Sequence, residues 1–290
     1  MTDLYSFNTK IEKLTSIADA DFYVKRDDRI AFTFGTKVRK FTGLLPFLLE
    51  NKNQPVVISG NYHSNFLAVF SYLLSLENIS FITIAQSRNP QRVTANSILT
   101  EFSSLKIHFV KTREEREKLL EEFKRNSEYV VLEDYCMNRL CMQGLHSLWH
   151  EIENEDFDTL LLDIGSGLTF LSLYDYYAQG KLPYAVAGVA IGSEKEKLEN
   201  EMLSLAEKFG LKLHNYKFFS PTIDPGYGKH SVKLDVWVKE KFQEWKIPLE
   251  PLYSAKTIFT AMELAKTGIL QGRILYIHQG GYLNFMDLFT

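Results

Sequence analysis

Short apolar runs rich in β-branched residues alternate along the chain with longer stretches in which apolar residues recur at helical spacing. The short runs predict strands at 54–60, 81–85, 106–110, 129–132, 159–163, 184–190, 211–216 and 273–277. The longer stretches predict helices at about 65–76, 92–105, 112–124, 140–152, 170–178, 195–209, 231–245 and 255–267. Strands separated by helices at this spacing indicate βαβ units, and therefore an α/β fold with mostly parallel sheets.

One helix start and a division into domains also follow from the sequence. Thr112 is followed three residues later by Glu115, which is the pattern of a capping box. No internal repeat, low-complexity tract or flexible linker interrupts the alternation. We predict a smaller α/β domain at 42–146, inserted into a larger domain built from 1–41 and 147–290.

The composition is typical of a soluble globular protein. The 290 residues are 45% hydrophobic and 24% charged, with a net charge of -3. This charge does not favour nucleic acid or an anionic membrane as a partner, and we expect neither. The first 14 residues lack an apolar core of signal-peptide length, and no stretch reaches the roughly 18 apolar residues of a membrane helix. The two cysteines suggest packing in a reducing compartment, so we expect a cytoplasmic protein.

A glycine-rich loop with the sequence Ile-Gly-Ser-Gly-Leu-Thr lies at 164–169. Its two glycines allow a tight turn after a strand, and exposed N–H groups at the start of the next helix attract a phosphate. The serine and threonine can add hydroxyl donors. A dinucleotide fingerprint would need a third glycine at 170, where Phe170 stands, and a GK[ST] phosphate loop is absent. A mononucleotide-like or cofactor phosphate is therefore favoured over a plain strand–helix turn.

Two further loops follow predicted strands, at the edge where parallel sheets bind ligands. Ser64 and Asn65 end the loop after the first predicted strand and lie where a helix begins. Either residue could be a simple N-cap instead. The last predicted strand ends in His278-Gln-Gly-Gly, which suggests a tight turn against a ligand or a structural histidine.

His146 and His150 are four residues apart on a predicted helix, which is a spacing that metals use. A metalloprotease motif would need glutamate at Ser147, and no third ligand is evident in the sequence. We therefore predict no metal site.

The chain contains the run Phe-Gly-Thr-Lys-Val-Arg-Lys at 34–40. A single lysine is usually a solvated surface charge, so this run indicates a function only together with other motifs along the chain. Seven blocks stand in order: Val-Lys-Arg-Asp-Asp at 24–28, Gly-x-Lys-x-Arg-Lys at 35–40, Ser-Asn at 64–65, Gly-Ser-Gly-x-Thr at 165–169, Gly-Tyr-Gly at 226–228, Tyr-Ser-x-Lys at 253–256 and His-x-Gly-Gly at 278–281. This set resembles the 1-aminocyclopropane-1-carboxylate deaminase and D-cysteine desulfhydrase group of pyridoxal-phosphate enzymes. The resemblance runs from about Phe22 to the C-terminus.

The resemblance implies the tryptophan synthase β-like fold (fold type II), with two open, mostly parallel twisted sheets covered by helices. It also implies pyridoxal 5′-phosphate between the two domains, a small amino acid as substrate and a homodimer. The larger domain would bind the cofactor.

The resemblance also implies roles for individual residues. Lys37 would hold the cofactor as a Schiff base and later move protons. The phosphate would be held by Lys40 and by Gly165, Ser166, Gly167, Leu168 and Thr169. Asn65 would bond the 3-hydroxyl of the cofactor, and Ser254 would face its pyridine nitrogen. The substrate side would be formed by Ser64, which touches the carboxylate or assists proton transfer, and by Tyr227 and Tyr253.

These residue types suit the chemistry, because the cofactor supplies an electron sink and the protein supplies orientation and charge. A lysine amine forms a reversible Schiff base, and neighbouring cations would lower its pKa toward that of a base. In the family, ring opening goes with glutamate at position 254, while desulfhydrase-like members carry a hydroxyl residue. Ser254 therefore favours α,β-elimination from a small amino acid such as D-cysteine, giving a 2-oxo acid and ammonia.

The match departs from the family at several positions. Thr36 stands where asparagine is usual, Leu168 replaces a small residue in the phosphate loop, and Phe66 replaces the polar residue that commonly follows Ser-Asn. The Pro-x-Gly-Gly of the family is missing around 133–136. These changes leave open a catalytically altered cofactor-binding protein on the same scaffold, or the deaminase activity. A nucleotide-binding protein is a third alternative, based on the 164–169 loop alone.

Overall fold

The computed structural model describes residues 5, 7–226 and 228–289. The strands are β1 Ile11–Ile17, β2 Ala20–Lys25, β3 Val56–Asn61, β4 Phe81–Gln86, β5 Ile107–Val110, β6 Val130–Val131, β7 Thr159–Ile164, β8 Ala185–Ala190, β9 Tyr216–Phe219 and β10 Gly272–Ile277. The helices are α1 Thr36–Glu50, α2 Asn65–Leu76, α3 Ala95–Ser103, α4 Arg113–Lys124, α5 Arg139–Gly144, α6 His146–His150, α7 Leu168–Tyr176, α8 Lys195–Phe209, α9 Val232–Trp245, α10 Ser254–Lys266 and α11 Tyr282–Met286.

The chain divides into two compact units. The first comprises 1–36 and 145–288, and the second comprises 37–144 with 289–290. The sequence placed its boundaries at 41/42 and 146/147, a few residues away. One continuous helix, α1, runs through 37–41, which is why these residues group with the second unit. That the larger unit binds the cofactor stays a prediction.

The described part of the first unit contains a sheet with the strand order β1-β2-β10-β7-β8-β9. Only β1 and β2 pair antiparallel; the other neighbours are parallel. The three consecutive leucines of β7, at 160–162, are fully buried, as expected for a strand covered on both faces. Helices α7 and α10 pack against β7, and α8 packs against β9.

In the second unit, the described residues form a parallel sheet with the order β5-β4-β3-β6. Helix α2 packs on β3 and β4, and α4 packs near all four strands. Val57, Ile84 and Leu120 form part of the core between α4 and the sheet. The predicted fold, two mainly parallel sheets with helices, is confirmed.

Most predicted elements occur within a few residues of their predicted bounds, and α2 and α8 agree at both ends. The strand predicted at 211–216 is wrong: β9 is Tyr216–Phe219, because Tyr216 pairs with Val186 and this pairing fixes the register. The predicted helix at 140–152 is divided into α5 and α6. The sequence did not predict the hairpin of β1 and β2 or the helix α1. Among the described helices, none combines the length and apolarity needed to cross a bilayer.

Candidate active site

The carboxyl ends of the parallel strands in the first unit bring separate loops to one edge of the sheet. The loop 165–167 follows β7, the turn 278–281 follows β10, and the segment 26–35 follows β2. Parallel α/β sheets bind ligands at this edge. The predicted phosphate loop 165–169 therefore begins where the fold favours a ligand.

The loop after β7 has the form of an anion cradle. Gly167 caps α7 in the left-handed conformation, with φ of 83°, and α7 begins at Leu168. The N–H groups of the first helical turn have no partner within the helix and carry partial positive charge. The first turn contains no acidic side chain. An anionic group such as a phosphate fits here.

Gly165 brings a predicted substrate-side residue against this loop. A Cβ atom at Gly165 would lie 2.9 Å from Cε1 of the Tyr253 ring, so a side chain at this position would fill the space that the ring occupies. Gly165 and Ser166 are half-buried, as is Tyr253. Tyr253 therefore contacts the glycine-rich loop.

Gln279 connects this loop to the sheet. The hydroxyl of Thr169 donates to Oε1 of Gln279 over 2.6 Å. The side-chain amide of Gln279 donates in turn to the backbone oxygen and Oδ2 of Asp163, at 2.8 and 3.0 Å. Asp163 also accepts from the hydroxyl of Tyr276 at 2.9 Å. Because Thr169 gives its proton to Gln279, the donors for a phosphate are the backbone N–H groups and Ser166.

The same glutamine holds the residue before the predicted Schiff-base lysine. The N–H of Thr36 donates to the backbone oxygen of Gln279 over 3.2 Å. Gly35 has φ of 69°, and a Cβ atom there would overlap that same carbonyl oxygen. A Cβ atom at Gly280 would lie 2.9 Å from Cα of Gly35. Two glycines thus let the segment leading to Lys37 touch the backbone of the 278–281 turn.

Ser254 lies at the start of α10 and is held by Glu250. The N–H of Glu250 donates to the Ser254 hydroxyl oxygen over 2.7 Å, and the hydroxyl can donate to the Glu250 backbone oxygen at 3.2 Å. The Glu250 carboxylate accepts the N–H groups of Leu252, Tyr253 and Ser254, each at 2.8 Å. Glu250 is almost fully buried. It therefore fixes the backbone of Tyr253 and Ser254 together.

Burial raises the pKa of Glu250 to about 7, although the N–H groups that donate to its carboxylate lower this pKa. The nearby carboxylate of Asp163 raises this pKa further, since two negative charges disfavour each other. Burial and the same aspartate also raise the pKa of Tyr276 well above its usual value. This side of the sheet thus holds acidic groups that are tied into a hydrogen-bond network.

Lys256, the third residue of α10, anchors the segment 224–226. Its buried amine donates to the backbone oxygens of Asp224 and Gly226, at 2.8 and 2.9 Å. Burial lowers the pKa of Lys256. The predicted substrate residue Tyr227 follows Gly226 directly, and it lies outside the described residues.

His278 is a structural residue. Its Nε2 lies 3.1 Å from the backbone oxygen of Pro248, and its Nδ1 accepts the N–H of Gly280 at 3.3 Å. These two bonds require a neutral ring with its proton on Nε2. His278 therefore shapes the turn that contains Gln279.

The remaining predicted site residues belong to the second unit. Lys37 and Lys40 occupy the first turns of α1 and are half-buried. Ser64 is the N-cap of α2, and its hydroxyl oxygen accepts the N–H of Leu67 at 3.2 Å. Its hydroxyl proton can still be donated to a ligand. Asn65 is the first residue of α2 and is also half-buried.

The two histidines of α6 each lie close to a carboxylate. His146 lies 2.9 Å from Asp175, and His150 lies 3.0 Å from Glu153. In the part of the chain that the structure describes, no group of three or more histidine, cysteine or acidic side chains is arranged to hold a metal ion.

Sequence reasoning missed Glu250, Gln279 and Asp163, and gave Lys256 no role. Glu250 stands four residues before Ser254 and next to a proline, which was the available signal of a capped helix start. Gln279 stood inside the His-x-Gly-Gly block as the unspecified residue. These residues position the site rather than form its surface, and their contacts link positions far apart in the sequence.

The described residues fit pyridoxal phosphate by their donor chemistry. The start of α7 offers backbone N–H groups and one free hydroxyl to an anion, beside the ring of Tyr253. Ser254 presents a hydroxyl that can either donate or accept. In the second unit, the first turns of α1 contain two lysines, the residue type that can hold this cofactor covalently.

Comparison with known proteins agrees with this geometry. Residues 3–280 match the sequence family described as "Pyridoxal-phosphate dependent enzyme". A protein of Pyrococcus furiosus, provisionally named 1-aminocyclopropane-1-carboxylate deaminase, is 25% identical over 96% of this chain and 91% of its own length. A protein of the same provisional name from Pyrococcus horikoshii is 26% identical, with the same coverage.

The fold also matches solved structures. The crystal structure described as that of an ACC deaminase homologue has a TM-score of 0.80 and 24% identity, and the match covers 98% of this chain and 95% of the other. A pyridoxal 5′-phosphate-dependent aspartate racemase has a TM-score of 0.69 and 14% identity, with 97% and 92% coverage. At these identities the structures establish the fold.

Proposed function

This chain belongs to the family of pyridoxal-phosphate dependent enzymes, and we propose that it is a lyase that deaminates a small amino acid by α,β-elimination. The predictions of the family and of its cofactor are thereby confirmed. The proposed activity is similar to that of D-cysteine desulfhydrase. With D-cysteine, the net reaction consumes one water and yields pyruvate, ammonia and hydrogen sulfide.

The observation that carries the proposal is a hydroxyl group, and not a carboxylate, at position 254. Ser254 is buried and bonded to the backbone of Glu250, so its hydroxyl has a defined position. A hydroxyl does not force a pyridine nitrogen to stay protonated, whereas a carboxylate does. A weaker electron sink suits elimination of a good leaving group better than the opening of a cyclopropane ring.

When bound, pyridoxal phosphate supplies the sink for the electron pair left at the substrate Cα. The amine of Lys37 holds the cofactor and then carries the Cα proton on Nζ. Lys40 and the loop 165–169 bind the phosphate, through charge and through the N–H groups at the start of α7. Asn65 orients the cofactor through its 3-hydroxyl group.

On the substrate side, Ser64 binds the carboxylate or passes a proton, since its hydroxyl proton is not used by the N-cap bond. Tyr253 would form part of the substrate side, and we assign the same role to Tyr227, which lies outside the described residues. Glu250 acts by holding the backbone N–H groups of Tyr253 and Ser254, and Lys256 holds the backbone oxygen of Gly226.

The deaminase activity is the second candidate, and one observation favours it. A carboxylate does lie beside Ser254, namely that of Glu250, and the named relatives point the same way. However, Glu250 accepts three backbone N–H groups and is directed into its own turn. Because the Glu250 carboxylate caps its own turn, we favour elimination over the deaminase activity. A catalytically altered protein on this scaffold is the third candidate, motivated by Phe66 and Leu168.

The test is an assay of the purified holoenzyme with D-cysteine, L-cysteine, D-serine and 1-aminocyclopropane-1-carboxylate. We expect pyruvate and sulfide in equal amounts from D-cysteine, and none from the Lys37→Ala variant. If 1-aminocyclopropane-1-carboxylate gives 2-oxobutanoate and D-cysteine gives nothing, the deaminase is correct. Absence of product from every amino acid contradicts both activities.

We also propose that the protein works as a homodimer in the cytoplasm, as the resemblance implies. Cys136 and Cys141 are both free and buried, which suits a reducing compartment.

A further inference from the structure

The loop that follows β8, residues 191–193, lies against the glycine-rich loop that follows β7 in the same unit. Strands β7 and β8 are parallel neighbours, and their pairing ends at Ile164 and Ala190. Beyond this pair, the N–H groups of Ile191 and Gly192 both donate to the backbone oxygen of Ile164, each at 3.0 Å. The two loops therefore leave the sheet side by side, joined by backbone hydrogen bonds.

Gly192 brings the backbones of the two loops into contact. A Cβ atom at this position would overlap the backbone oxygen of Gly165 and lie 3.0 Å from its carbonyl carbon. Burial does not call for a glycine here, because residue 192 is exposed to solvent. Backbone conformation does not call for one either, since the φ of Gly192 lies outside the left-handed region. What remains is the close approach of the Gly165 carbonyl group, which leaves no room for a side chain.

These contacts fix the backbone donors of the glycine-rich loop. The peptide bonds here are planar and trans, so a carbonyl oxygen and the N–H group that follows it point in opposite directions. The loop 191–193 holds the oxygen of Ile164, and the N–H of Gly165 is therefore directed away from that loop. The next peptide carries the Gly165 oxygen and the Ser166 N–H, and it packs against Gly192. Successive N–H groups held in this way can form a concave anion site.

The helix that follows the loop 191–193 supports the far end of the glycine-rich loop. Gly167 has φ of 83°, and a Cβ atom there would overlap Sδ of Met202. Met202 lies on α8 and is almost fully buried, so its own position is defined by packing. The segment 191–202 thus contacts the glycine-rich loop at both of its ends.

We propose that Gly192 is a positioning residue for the cofactor: because it lacks a side chain, it holds the peptides of 164–166 where their N–H groups meet the phosphate. A methyl group at this position would push aside the peptide that carries the Ser166 N–H, since the bond to Ile164 keeps Gly192 in place. The inference rests on the proposed binding of the phosphate by the loop 165–169, and it needs no particular reaction.

The test is Gly192→Ala in the full-length protein freed of cofactor. The variant is titrated with pyridoxal phosphate and with pyridoxal, which lacks the phosphate, and visible absorbance gives the apparent Kd for each. We expect the Kd for pyridoxal phosphate to rise at least about tenfold, because charge-assisted hydrogen bonds to the phosphate lose their geometry. The Kd for pyridoxal should stay at the wild-type value, which damage to the whole fold would not allow.

The matched control is Gly180→Ala. Gly180 is also exposed and its φ also lies outside the left-handed region, but a Cβ atom there would meet nothing within 4 Å. This variant should bind both ligands like the wild type. Ser166→Asp tests the premise separately, because a carboxylate in the glycine-rich loop would repel the phosphate. It should weaken the binding of pyridoxal phosphate alone.

Three results overturn the role of Gly192: an unchanged affinity of Gly192→Ala for pyridoxal phosphate, an equal loss of affinity for pyridoxal, or a variant that circular dichroism shows to be unfolded. The last result would mean that the methyl group disturbs more than one exposed loop. If Ser166→Asp leaves both affinities unchanged, the phosphate does not bind at 165–169 and the premise itself is wrong. If Ser166→Asp weakens the binding of pyridoxal phosphate and Gly192→Ala does not, the premise holds and Gly192 has no part in it.

Discussion

Glu250 is the buried carboxyl group on which two predicted site residues depend. Its carboxylate accepts the N–H groups of Tyr253 and Ser254. Gln279 has a comparable place on the neighbouring turn, between Thr169 and Asp163. At the residue scale, the site is therefore organised by side chains behind its surface.

The stability of the protein should depend on the protonation of Glu250. Its pKa is about 7 in the folded protein and 4.5 in an ordinary environment. The folded state thus binds the proton more tightly than the unfolded state. The contribution of Glu250 to the free energy of unfolding is therefore fully present below pH 4.5 and is lost as the pH rises through 7. A pKa difference of this size corresponds to about 3 kcal/mol.

Glu250→Gln removes this titration. We expect the urea midpoint of the wild type to fall between pH 5.5 and pH 8 by more than that of the variant. Urea unfolding at both pH values measures this. Equal changes in the two proteins would show that Glu250 does not titrate in this range.

Substitution of Gln279 should weaken cofactor binding. Gln279→Ala removes the partner of Thr169, and we expect the apparent Kd for pyridoxal phosphate to rise about tenfold, from the loss of roughly one hydrogen bond. Gln279→Glu should do more harm, because its carboxylate would face Asp163 at the present amide distance of 3.0 Å. Titration followed by visible absorbance gives both values. If the glutamate variant binds as tightly as the wild type, the network is not needed for the cofactor.

The segment before α1 and the turn after β10 act as one element, because their backbones touch at Gly35 and Gly280. A matched pair of glycines can test this contact. Gly35 and Gly210 have φ of 69° and 67°, but a Cβ atom at Gly210 would meet nothing within 4 Å.

Gly210→Ala should cost only the strain of a left-handed residue, about 1–2 kcal/mol. Gly35→Ala adds a collision with the Gln279 carbonyl and should cost clearly more. Thermal unfolding compares the two variants, and binding of pyridoxal phosphate should suffer only in Gly35→Ala. Similar losses of stability for both would mean that the close approach is relaxed at little cost.

At the scale of helices and strands, the sequence predicts the features that neighbouring residues decide. Helix α4 was predicted from its capping box, and the structure has both bonds of that box between Thr112 and Glu115. Local signals of this kind suffice wherever neighbouring residues decide the structure. The register of β9 depends on pairing between Tyr216 and Val186, which no local pattern contains. The glycine-rich loop was predicted from its own residues, whereas Glu250 and Gln279 owe their roles to contacts across the fold.

At the scale of the whole molecule, family and cofactor are established, while the reaction is a proposal. Both units carry predicted site residues: Lys37, Lys40, Ser64 and Asn65 in one, and the loop 165–169 with Tyr253 and Ser254 in the other. The account depends on one covalent bond, between Lys37 and the cofactor. Every other role is assigned relative to it.

Borohydride reduction of the purified holoenzyme, followed by peptide mass spectrometry, tests this bond most directly. We predict loss of the visible absorbance band and a phosphopyridoxyl group on the peptide that contains Lys37, with Lys40 and Lys256 unmodified. The Lys37→Ala variant should show neither the band nor the label. A label on another lysine, or a wild-type protein that stays colourless and unmodified after incubation with pyridoxal phosphate, would contradict the account.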